Sequence, residues 1–368
     1  MKIVVVGPVF PYRGGISHHN SSLILALQSL GHNVLSISYK RQYPKFLYPG
    51  KSDKDPSLVK MSVDALFIID PTNPFSWKKA VNEIEKFKPD KVVFHWWSSF
   101  WAPTYFYLLG ILSKRKYCTV CIVHNVFPHE KRFFDEFLAK LILKIFSNLI
   151  VHSLSEQEKI VKLGIQTEVS YIPHPIYDTL ASNVKIDKTE AKTKLGLPLD
   201  KTLILMFGIV RKYKGLSVLL DSIKILIENE HKEIHLLVAG EFWEPEEQYC
   251  QKIQEYKIDQ YVTIQNRYIP NEEIPIIFSA ADVFVAPYTG GTQSGSIKLA
   301  MAYDLPIIST TIVADENSYL YNWKKVSPGD CVDLAESIRN YAFIASYTHG
   351  EDKTWVKLAE LICKSLNS

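Results

Sequence analysis

Short apolar runs alternate with amphipathic segments along most of the 368-residue chain, and this alternation constrains the fold more than any other feature. The apolar runs are rich in Val, Ile and Leu, which is typical of strands buried on both faces of a sheet. Segments with helical periodicity, such as Ser17–Leu30, Ser76–Phe87 and Leu216–Asn229, lie between them. This order predicts an α/β fold with parallel sheets covered by helices. The predicted strands are Ile3–Val6, Val34–Ser38, Ala65–Ile69, Lys91–His95, Thr119–Val123, Leu149–His152, Val169–Ile172, Leu203–Phe207, His235–Ala239, Val262–Gln265, Val283–Ala286 and Ile307–Ser309.

The alternation stops between Pro173 and Lys201, where the chain is polar, and it restarts with LILMFG, much as it begins with KIVVVG. We therefore expect a linker with a short leading helix, and two doubly wound α/β domains in 1–175 and 176–345. The last segment, 346–368, is predicted as a helix that packs back toward the first domain. Ligands bind beyond the carboxyl ends of the strands in such sheets, which predicts a site in an interdomain cleft.

The composition argues against several classes of protein. The net charge of +3 does not favour bulk nucleic-acid binding. The five cysteines are an odd and sparse set, which indicates reduced thiols in a cytoplasmic protein. Cys118 and Cys121 form a C-x-x-C motif inside a predicted strand, where core packing is favoured over zinc or redox chemistry. No run approaches the roughly 18 apolar residues of a membrane span, and MKIVVVG predicts a strand rather than a signal peptide.

The stretch GGTQSGSIKLAMAYDLP follows a predicted strand with a loop of small residues and then a helix that starts near Gln293–Ser296. The first N–H groups of a helix lack partners, and the helix dipole favours an anion there. Small residues let a phosphate oxygen approach the backbone closely. The alternative is an ordinary strand–helix turn that Thr292 or Ser294 caps.

A second loop, GIVRKYKGL, places Arg211, Lys212 and Lys214 at the carboxyl end of another strand of the same predicted domain. Cations beside a helix terminus could neutralise a diphosphate, although a solvated basic turn is the alternative. A third loop, GPVFPYRGGISHHN, has Gly14 and Gly15 before a helix but does not form G-x-G-x-x-G. Binding of an adenine dinucleotide in the usual mode is therefore disfavoured. The three loops together favour a diphosphate ligand.

In this order, the loops resemble those of GT-B glycosyltransferases, and within them retaining glycosyltransferase family 4. The blocks GIVRKYKGL, LLVAGE, YIPNEEIPIIFSAADVFVAPY and SGSIKLAMAYDLP resemble successive family blocks, as VHNVFPH does for the first domain. The resemblance implies two Rossmann-like doubly wound domains with an interdomain cleft. It also implies transfer of a sugar from a nucleotide-diphosphate sugar to a saccharide or lipid-linked acceptor, without a metal or cofactor, in polysaccharide or glycolipid assembly.

The matched positions assign candidate roles to individual residues. Arg211 and Lys214 would bind the donor diphosphate, and His124 would stand near the transferred sugar. From the residues alone, His124 could equally be a hydrogen-bonded structural histidine. His174, between two prolines, is predicted to belong to the linker. The candidate donor-binding residues are Gly14, Gly15, Glu241, Tyr268, Ile269, Gln293, Ser294, Gly295 and Ser296.

The sequence departs from the family at two positions. The family often carries two glutamates eight positions apart, one for the donor sugar and one for the ribose, and here these positions are Gly291 and Leu299. Sugar hydroxyls must then be held by backbone or by another residue. Transfer remains feasible, because the cations and the helix start oppose the charge that develops on the leaving diphosphate. The alternatives are a sugar-nucleotide sensor without catalysis and a GT-B nucleotide-sugar epimerase, although the loop lacks the carboxylates an epimerase needs.

Two further stretches have two interpretations each. The tryptophans of FHWWSSFWAPTYFY could be core residues or an aromatic platform for the acceptor. The basic and aromatic stretch Tyr39–Lys54, with the helix predicted over Glu130–Phe146, could contact an anionic membrane or be a solvated surface. The resemblance favours peripheral contact at the inner face of a membrane, because acceptors of the family are often lipid-linked.

Overall fold

A computed structural model describes residues 1–44, 50–128, 132–177, 186–291, 294–313, 323–341 and 355–364. The chain divides into two compact units. The first contains the described residues of 1–56 and 60–175 together with the helix near the carboxyl terminus. The second contains residues 57–59 and the described residues of 176–341. Each unit has one sheet and one hydrophobic core of its own.

The first unit is built on a seven-stranded parallel sheet with the strand order β3-β2-β1-β4-β5-β6-β7. The chain starts in the middle of this sheet and winds to one edge before it crosses to the other, which makes it doubly wound. Its strands are β1 (Lys2–Val6), β2 (Asn33–Tyr39), β3 (Ala65–Ile69), β4 (Lys91–Trp96), β5 (Cys118–Val123), β6 (Asn148–Val151) and β7 (Glu168–Tyr171). Its helices are α1 (Gly15–Ser29), α2 (Pro74–Phe87), α3 (Ala102–Lys114), α4 (Asp135–Leu143), α5 (Leu154–Lys162) and, from the carboxyl-terminal region, α12 (Trp355–Lys364).

The second unit repeats this plan with a six-stranded parallel sheet in the order β10-β9-β8-β11-β12-β13. Its strands are β8 (Thr202–Phe207), β9 (Ile234–Ala239), β10 (Val262–Gln265), β11 (Val283–Ala286), β12 (Ile307–Thr310) and β13 (Trp323–Val326). Its helices are α6 (Lys188–Lys194), α7 (Leu216–Glu228), α8 (Glu247–Tyr256), α9 (Ile274–Ala280), α10 (Gly295–Ala302) and α11 (Cys331–Arg339). The prediction of two Rossmann-like parallel sheets is confirmed.

Side-chain caps explain where several helices begin. Asn73 accepts a hydrogen bond from the Phe75 N–H at the start of α2, and Ser153 accepts one from Glu156 at the start of α5. Asp187 and Asp330 each accept two N–H bonds at the starts of α6 and α11. Such caps satisfy backbone donors that would otherwise lack partners. Among the described residues, no helix is long and apolar enough to cross a bilayer.

The aromatic stretch of the first unit belongs to its core. Trp96, Trp97 and Trp101 are buried, and the Trp101 ring stacks on Tyr39 with 4.1 Å between centroids. The Trp97 indole N–H donates to the Tyr43 hydroxyl at 2.7 Å. The hypothesis of an aromatic acceptor platform is therefore wrong, because these ring faces are covered by other side chains.

The basic stretch Tyr39–Lys54 is only partly available at the surface. Tyr39 is buried as the last residue of β2, while Arg41 pairs with Asp70 at 2.9 Å. The Lys54 ammonium lies over the Tyr12 ring, 3.3 Å from its centroid. Residues 45–49 of this stretch, and Glu130 and Lys131 of the predicted helix 130–146, lie outside the described residues.

The two cysteines of the C-x-x-C motif are both free thiols in β5. Side chains alternate between the two faces of a strand, so positions three residues apart point to opposite faces. Cys121 is fully buried in the core of the first unit. The core interpretation of this motif is confirmed.

Candidate active site

Two loops of the second unit converge at the carboxyl ends of β8 and β11. The Thr289 N–H donates to the Tyr213 carbonyl at 2.8 Å. Gly215 has a φ of 76°, and a Cβ at this position would lie 1.9 Å from the Pro287 carbonyl oxygen. Only glycine permits this approach without backbone movement. The loop that carries Arg211 and Lys214 is therefore fixed against the loop that leads into α10.

Close backbone packing also connects these loops to the end of β9. A Cβ on Gly208 would lie 2.8 Å from the Ser296 Oγ, and a Cβ on Gly240 would lie 1.9 Å from the Gly208 carbonyl oxygen. Val210 N–H donates to the carbonyl of Glu241 at 2.9 Å. The Glu241 side chain is buried beside this junction. The structure thus brings Gly208, the start of α10 and Glu241 together.

Lys214 and Ser294, both assigned from sequence, are connected through Tyr288. The Lys214 Nζ donates to the Tyr288 hydroxyl, whose oxygen lies 2.8 Å from the Ser294 Oγ. Burial raises the pKa of Tyr288 to about 12, so its hydroxyl keeps its proton. Burial also lowers the pKa of Lys214, and the neighbouring Arg211 lowers it further. Among the described residues, no carboxylate acts on the pKa of this lysine. The neighbouring Tyr213 acts in the opposite direction on the pKa of Lys214.

The Arg211 guanidinium is held by an aromatic contact. Its central carbon lies 5.3 Å from the centroid of the Trp243 ring. The backbone N–H of Trp243 donates to the Val210 carbonyl at 3.0 Å, which places this residue beside the loop. Arginine stacks on aromatic faces, and such a contact orients the plane of the guanidinium.

The helix α10 begins as its sequence indicates. Ser294 has extended backbone dihedrals and its hydroxyl accepts from the Ile297 N–H, so it is the N-cap. Gly295 lies next to the ring of Tyr177, because a Cβ there would be 3.6 Å from the ring edge. The two family glutamate positions are Gly291 and Leu299. Leu299 is buried, and Gly291 has a φ of 103°. Gln293 and Thr292 lie outside the described residues.

Tyr268 and Ile269 follow β10, with Ile269 buried and Tyr268 half-buried. The neighbouring Arg267 is occupied by Glu273, since its Nη1 lies 2.9 Å from the Glu273 Oε1. The backbone N–H of Asn271, which follows Pro270, donates to the Ser57 hydroxyl oxygen at 2.8 Å. These residues follow β10, which pairs with β9, and the role of Tyr268 and Ile269 in donor binding stays a prediction.

Two family models match the chain over adjoining regions. The model described as Glycosyltransferase Family 4 matches residues 13–179, and the model described as Glycosyl transferases group 1 matches residues 201–342. Together they span most of the chain, including both converging loops. The chain is a GT-B glycosyltransferase. No curated protein sequence gives a significant match.

Solved structures share the fold of this glycosyltransferase over its whole length. HepE of Anabaena, in complex with UDP, is 16% identical with a TM-score of 0.73, covering 100% of this chain and 99% of its own. Sucrose-phosphate synthase of Thermosynechococcus elongatus is 16% identical with a TM-score of 0.69, and the match covers 99% of this chain and 98% of the synthase chain. The lipopolysaccharide outer core galactosyltransferase WaaB is 15% identical with a TM-score of 0.66, covering 100% and 99%.

In the first unit of the glycosyltransferase, the candidate residues lie at the ends of β1 and β5. Gly14 has a φ of 109° and precedes α1, which begins at Gly15, and a Cβ on either glycine would meet nothing within 4 Å. His124 directly follows β5, and its N–H donates to the Trp96 carbonyl at 2.8 Å. Its side chain is buried, and its Nε2 lies 2.9 Å from the Nδ1 of His95. The role of these three residues near the donor stays a prediction.

Sequence reasoning missed a cluster of buried histidines around His124. His95, His124, His152 and His174 lie at or just after the carboxyl ends of the neighbouring strands β4, β5, β6 and β7, and His19 joins them from α1. The His19 ring lies 4.8 to 5.5 Å from the other four rings. His174 is thus part of this cluster in the first unit, and the prediction of a linker residue is wrong. The signal was a histidine at each of four successive strand ends.

Tyr288 is the second functional residue that sequence reasoning missed. It lies 74 positions after Lys214, so only the tertiary fold shows that the two side chains meet. The available signal was a tyrosine two residues after β11, immediately before the loop of small residues.

Proposed function

We propose that this glycosyltransferase moves a sugar from a nucleotide-diphosphate sugar to a saccharide or lipid-linked acceptor, with retention and without a metal, in polysaccharide or glycolipid assembly. The observation that carries the proposal is the position of Lys214, which Tyr288 and Ser294 connect to the start of α10. Arg211 lies in the same loop, over the Trp243 ring. A half-buried lysine with a lowered pKa gains most from an anionic partner, and the diphosphate of the donor would be that partner.

The chemistry needs stabilisation of the leaving group. As the bond between the anomeric carbon and the diphosphate oxygen breaks, negative charge develops on the diphosphate. The Lys214 ammonium, the Arg211 guanidinium and the N–H groups that open α10 oppose that charge without reorganising. The acceptor hydroxyl forms the new bond to the anomeric carbon, and its proton passes to the departing diphosphate. Front-side attack, and with it retention, follows the family resemblance.

Recognition of the donor must differ from the common family scheme. Leu299 is buried and apolar, so it cannot accept from the ribose hydroxyls, and Gly291 offers only backbone. The buried Glu241 lies at the junction of β8 and β9 and is our candidate for contact with the donor. UDP is the first nucleotide to examine, because HepE of Anabaena was crystallised with UDP and with UDP-glucose.

We place the enzyme at the cytoplasmic face of a membrane, where a lipid-linked acceptor would be found. The support comes from segment 132–144, in which Phe133 and Phe137 are 95% and 68% exposed. Arg132, Lys140 and Lys144 are exposed in the same segment. Exposed aromatic side chains among basic ones suit an anionic bilayer surface, and salt-sensitive binding to anionic vesicles is the test.

The diphosphate site is tested with Arg211→Ala and Lys214→Ala, and with Lys212→Ala as the matched control. Lys212 is exposed and lies in the same short turn, so the control removes an equal charge without touching the Tyr288 network. UDP binding is measured by calorimetry, and transfer or donor hydrolysis with a panel of UDP- and GDP-sugars. We expect each site variant to lower kcat by about 100-fold, as for removal of one preorganised donor.

The same measurements separate the enzyme from a sugar-nucleotide sensor. Turnover near the wild-type value in both site variants would disprove the diphosphate assignment. Nucleotide binding without any transfer or hydrolysis across the panel would favour the sensor. Circular dichroism and thermal unfolding show whether each variant is folded, since a ligand that binds the native state also raises its stability.

A further inference from the structure

Three buried histidines of the first unit present ligand atoms to one another. One ring nitrogen from each of His19, His95 and His124 lies within 4.8 Å of the other two. The three side chains come from α1, from β4 and from the residue after β5, so the fold and not local sequence brings them together. All three are at most 8% exposed. All three histidines belong to the first unit, whereas the loops with Arg211 and Lys214 belong to the second.

Hydrogen bonds fix which nitrogen of His19 carries a lone pair. The Ile172 carbonyl can only accept, so the His152 Nδ1, 2.7 Å away, carries the proton of that imidazole. A neutral His152 then offers its Nε2 as an acceptor, and the His19 Nε2–H donates to it at 2.9 Å. The lone pair of His19 is therefore on Nδ1, for which the described residues provide no hydrogen-bond partner. This chain of bonds matches the outer partners that orient metal-binding histidines.

His95 and His124 are also arranged as ligands. Their rings are nearly parallel, with an angle of 15° between planes, and the His95 Nδ1 lies 2.9 Å from the His124 Nε2. The other nitrogen of His95, Nε2, is buried and has no hydrogen-bond partner in the part of the chain that the structure describes. A buried polar atom without a partner costs about 1–3 kcal/mol, so the cluster as it stands is incompletely satisfied.

Burial disfavours the charged form of all three imidazoles, and a metal binds the neutral form. Burial is the main cause that lowers the pKa of His95 to about 3, and His152 adds to it. Burial and the neighbouring histidines lower the pKa values of His19 and His124 in the same way. Protons therefore compete weakly with a metal for these lone pairs.

We propose that His19, His95 and His124 bind one divalent transition-metal ion, with Zn²⁺ as its representative. Zn²⁺ takes imidazole nitrogens at about 2.0–2.1 Å, which sets nitrogen atoms roughly 3.3 Å apart in a tetrahedron. The His95 Nδ1 and His124 Nε2 are 2.9 Å apart, and the three ligand nitrogens all lie within 4.8 Å of one another. Small side-chain rotations would bring them to the distances that the ion requires. One proton lies between the His95 Nδ1 and the His124 Nε2. When the metal binds, this proton moves to the other nitrogen of the imidazole that carried it, so binding needs no change in net protonation.

The chemistry of the cluster selects the ion. Imidazole suits Zn²⁺, Ni²⁺, Cu²⁺ and Co²⁺, whereas Mg²⁺ and Ca²⁺ require oxygen ligands. Among the described residues, this is the one group of His, Cys, Asp and Glu with metal-binding spacing, and it contains no carboxylate. The Trp355 ring packs 4.9 Å from His19 and restricts water on that side. The ion would join α1 to two strands of the sheet.

The test is metal titration of the full-length protein after removal of bound metal with EDTA. We expect one equivalent of Zn²⁺ to bind and to raise the Tm, while Mg²⁺ does neither. Co²⁺ should give visible absorption bands without the near-ultraviolet absorption of a thiolate–metal bond, because the chain's five cysteines are the competing ligands. The proposal would be overturned if the wild type took up no stoichiometric Zn²⁺, or if its Co²⁺ form showed thiolate–metal absorption. Both results are obtained without any variant.

Variants locate the ion. His19→Gln and His95→Gln should lose stoichiometric Zn²⁺ binding, and His152→Gln should weaken it by about 10–100-fold through loss of the orienting bond. His231→Gln is the control, because His231 lies in the second unit, outside the cluster. Circular dichroism shows that each variant is folded. Unchanged uptake in both ligand variants would place the ion elsewhere and disprove the site.

Discussion

Tyr288 holds the Lys214 ammonium beside the start of α10, and its hydroxyl also bonds with Ser294. Tyr288→Phe removes one oxygen and both bonds from a fully buried ring. Hydrogen bonds to charged groups are worth about 1.5–3 kcal/mol, so we expect UDP affinity and kcat/KM to fall by about 10–100-fold. Isothermal calorimetry and steady-state kinetics are the measurements.

Tyr256→Phe is the control for that change. The Tyr256 hydroxyl donates to Asp221 at 2.7 Å on α7, away from the two converging loops. This variant also loses a hydrogen bond to a charged group, but it should leave UDP affinity and kcat/KM within about twofold. Equal losses in both variants would mean that Tyr288 acts through general stability and not by positioning Lys214.

The charged residues of the site could be assigned from the sequence, but the groups that orient them could not. Arg211 and Lys214 lie in a local pattern of a strand, a basic turn and a helix, so nine residues suffice to suggest their chemistry. Tyr288 becomes relevant only because Gly215 lets its loop approach Pro287. Lys214 and Tyr288 are 74 positions apart, and a contact over that distance produces no pattern that a single sequence would show.

The helix α4 and the residues before it present the clearest candidate for a membrane surface. We expect Phe133→Ser/Phe137→Ser to weaken binding to vesicles with anionic lipid by at least about 10-fold, because two exposed aromatic side chains no longer enter the interface. Binding of the wild type should also weaken as salt rises, since Arg132, Lys140 and Lys144 attract the headgroups. Vesicle flotation at two salt concentrations measures both effects.

Phe75→Ser tests whether any exposed aromatic residue has this effect. Phe75 is 84% exposed on α2, and the exposed Lys78 and Lys79 lie one turn away, so it matches an aromatic side chain beside basic ones at another place in the first unit. Its substitution should leave vesicle binding unchanged. Absence of wild-type binding at low salt, or an equal loss with Phe75→Ser, would disprove the contribution of α4.

Elements were predictable where burial imposes a continuous apolar run. Strands β4, β5 and β9 are buried along their length, and the sequence indicates all three. The strand β13 was missed because Trp323–Val326 reads as two lysines between two apolar residues. It lies at the edge of its sheet, where charged side chains are tolerated because one side faces solvent. The histidine cluster was missed for another reason, since strand order is needed to see that four strand ends are neighbours.

At the scale of the whole molecule, the chain forms two sheets in succession and then returns to the first. Helix α12 comes after the second unit in the sequence, yet it belongs to the unit formed mainly by residues 1–175, where it packs on α1. The Lys91 ammonium, at the start of β4, donates to the Ile362 carbonyl at 3.0 Å. Trp355 completes the packing around His19 and His174. The first unit therefore depends on residues at both ends of the sequence.

Leu358→Ala tests this dependence, because Leu358 is 1% exposed on the face of α12 that packs in the first unit. Truncation of a buried leucine costs about 2–5 kcal/mol of unfolding free energy. The matched control is Val356→Ala, since Val356 is 39% exposed on the same helix and should change the free energy by less than about 0.5 kcal/mol. Hydrogen exchange read by mass spectrometry gives the location: amides of α1 and β1 should exchange faster in Leu358→Ala, while those of β8 and β9 should keep the wild-type rate. Faster exchange in the second unit, or an unchanged rate in α1 and β1, would show that α12 does not stabilise the sheet of the first unit.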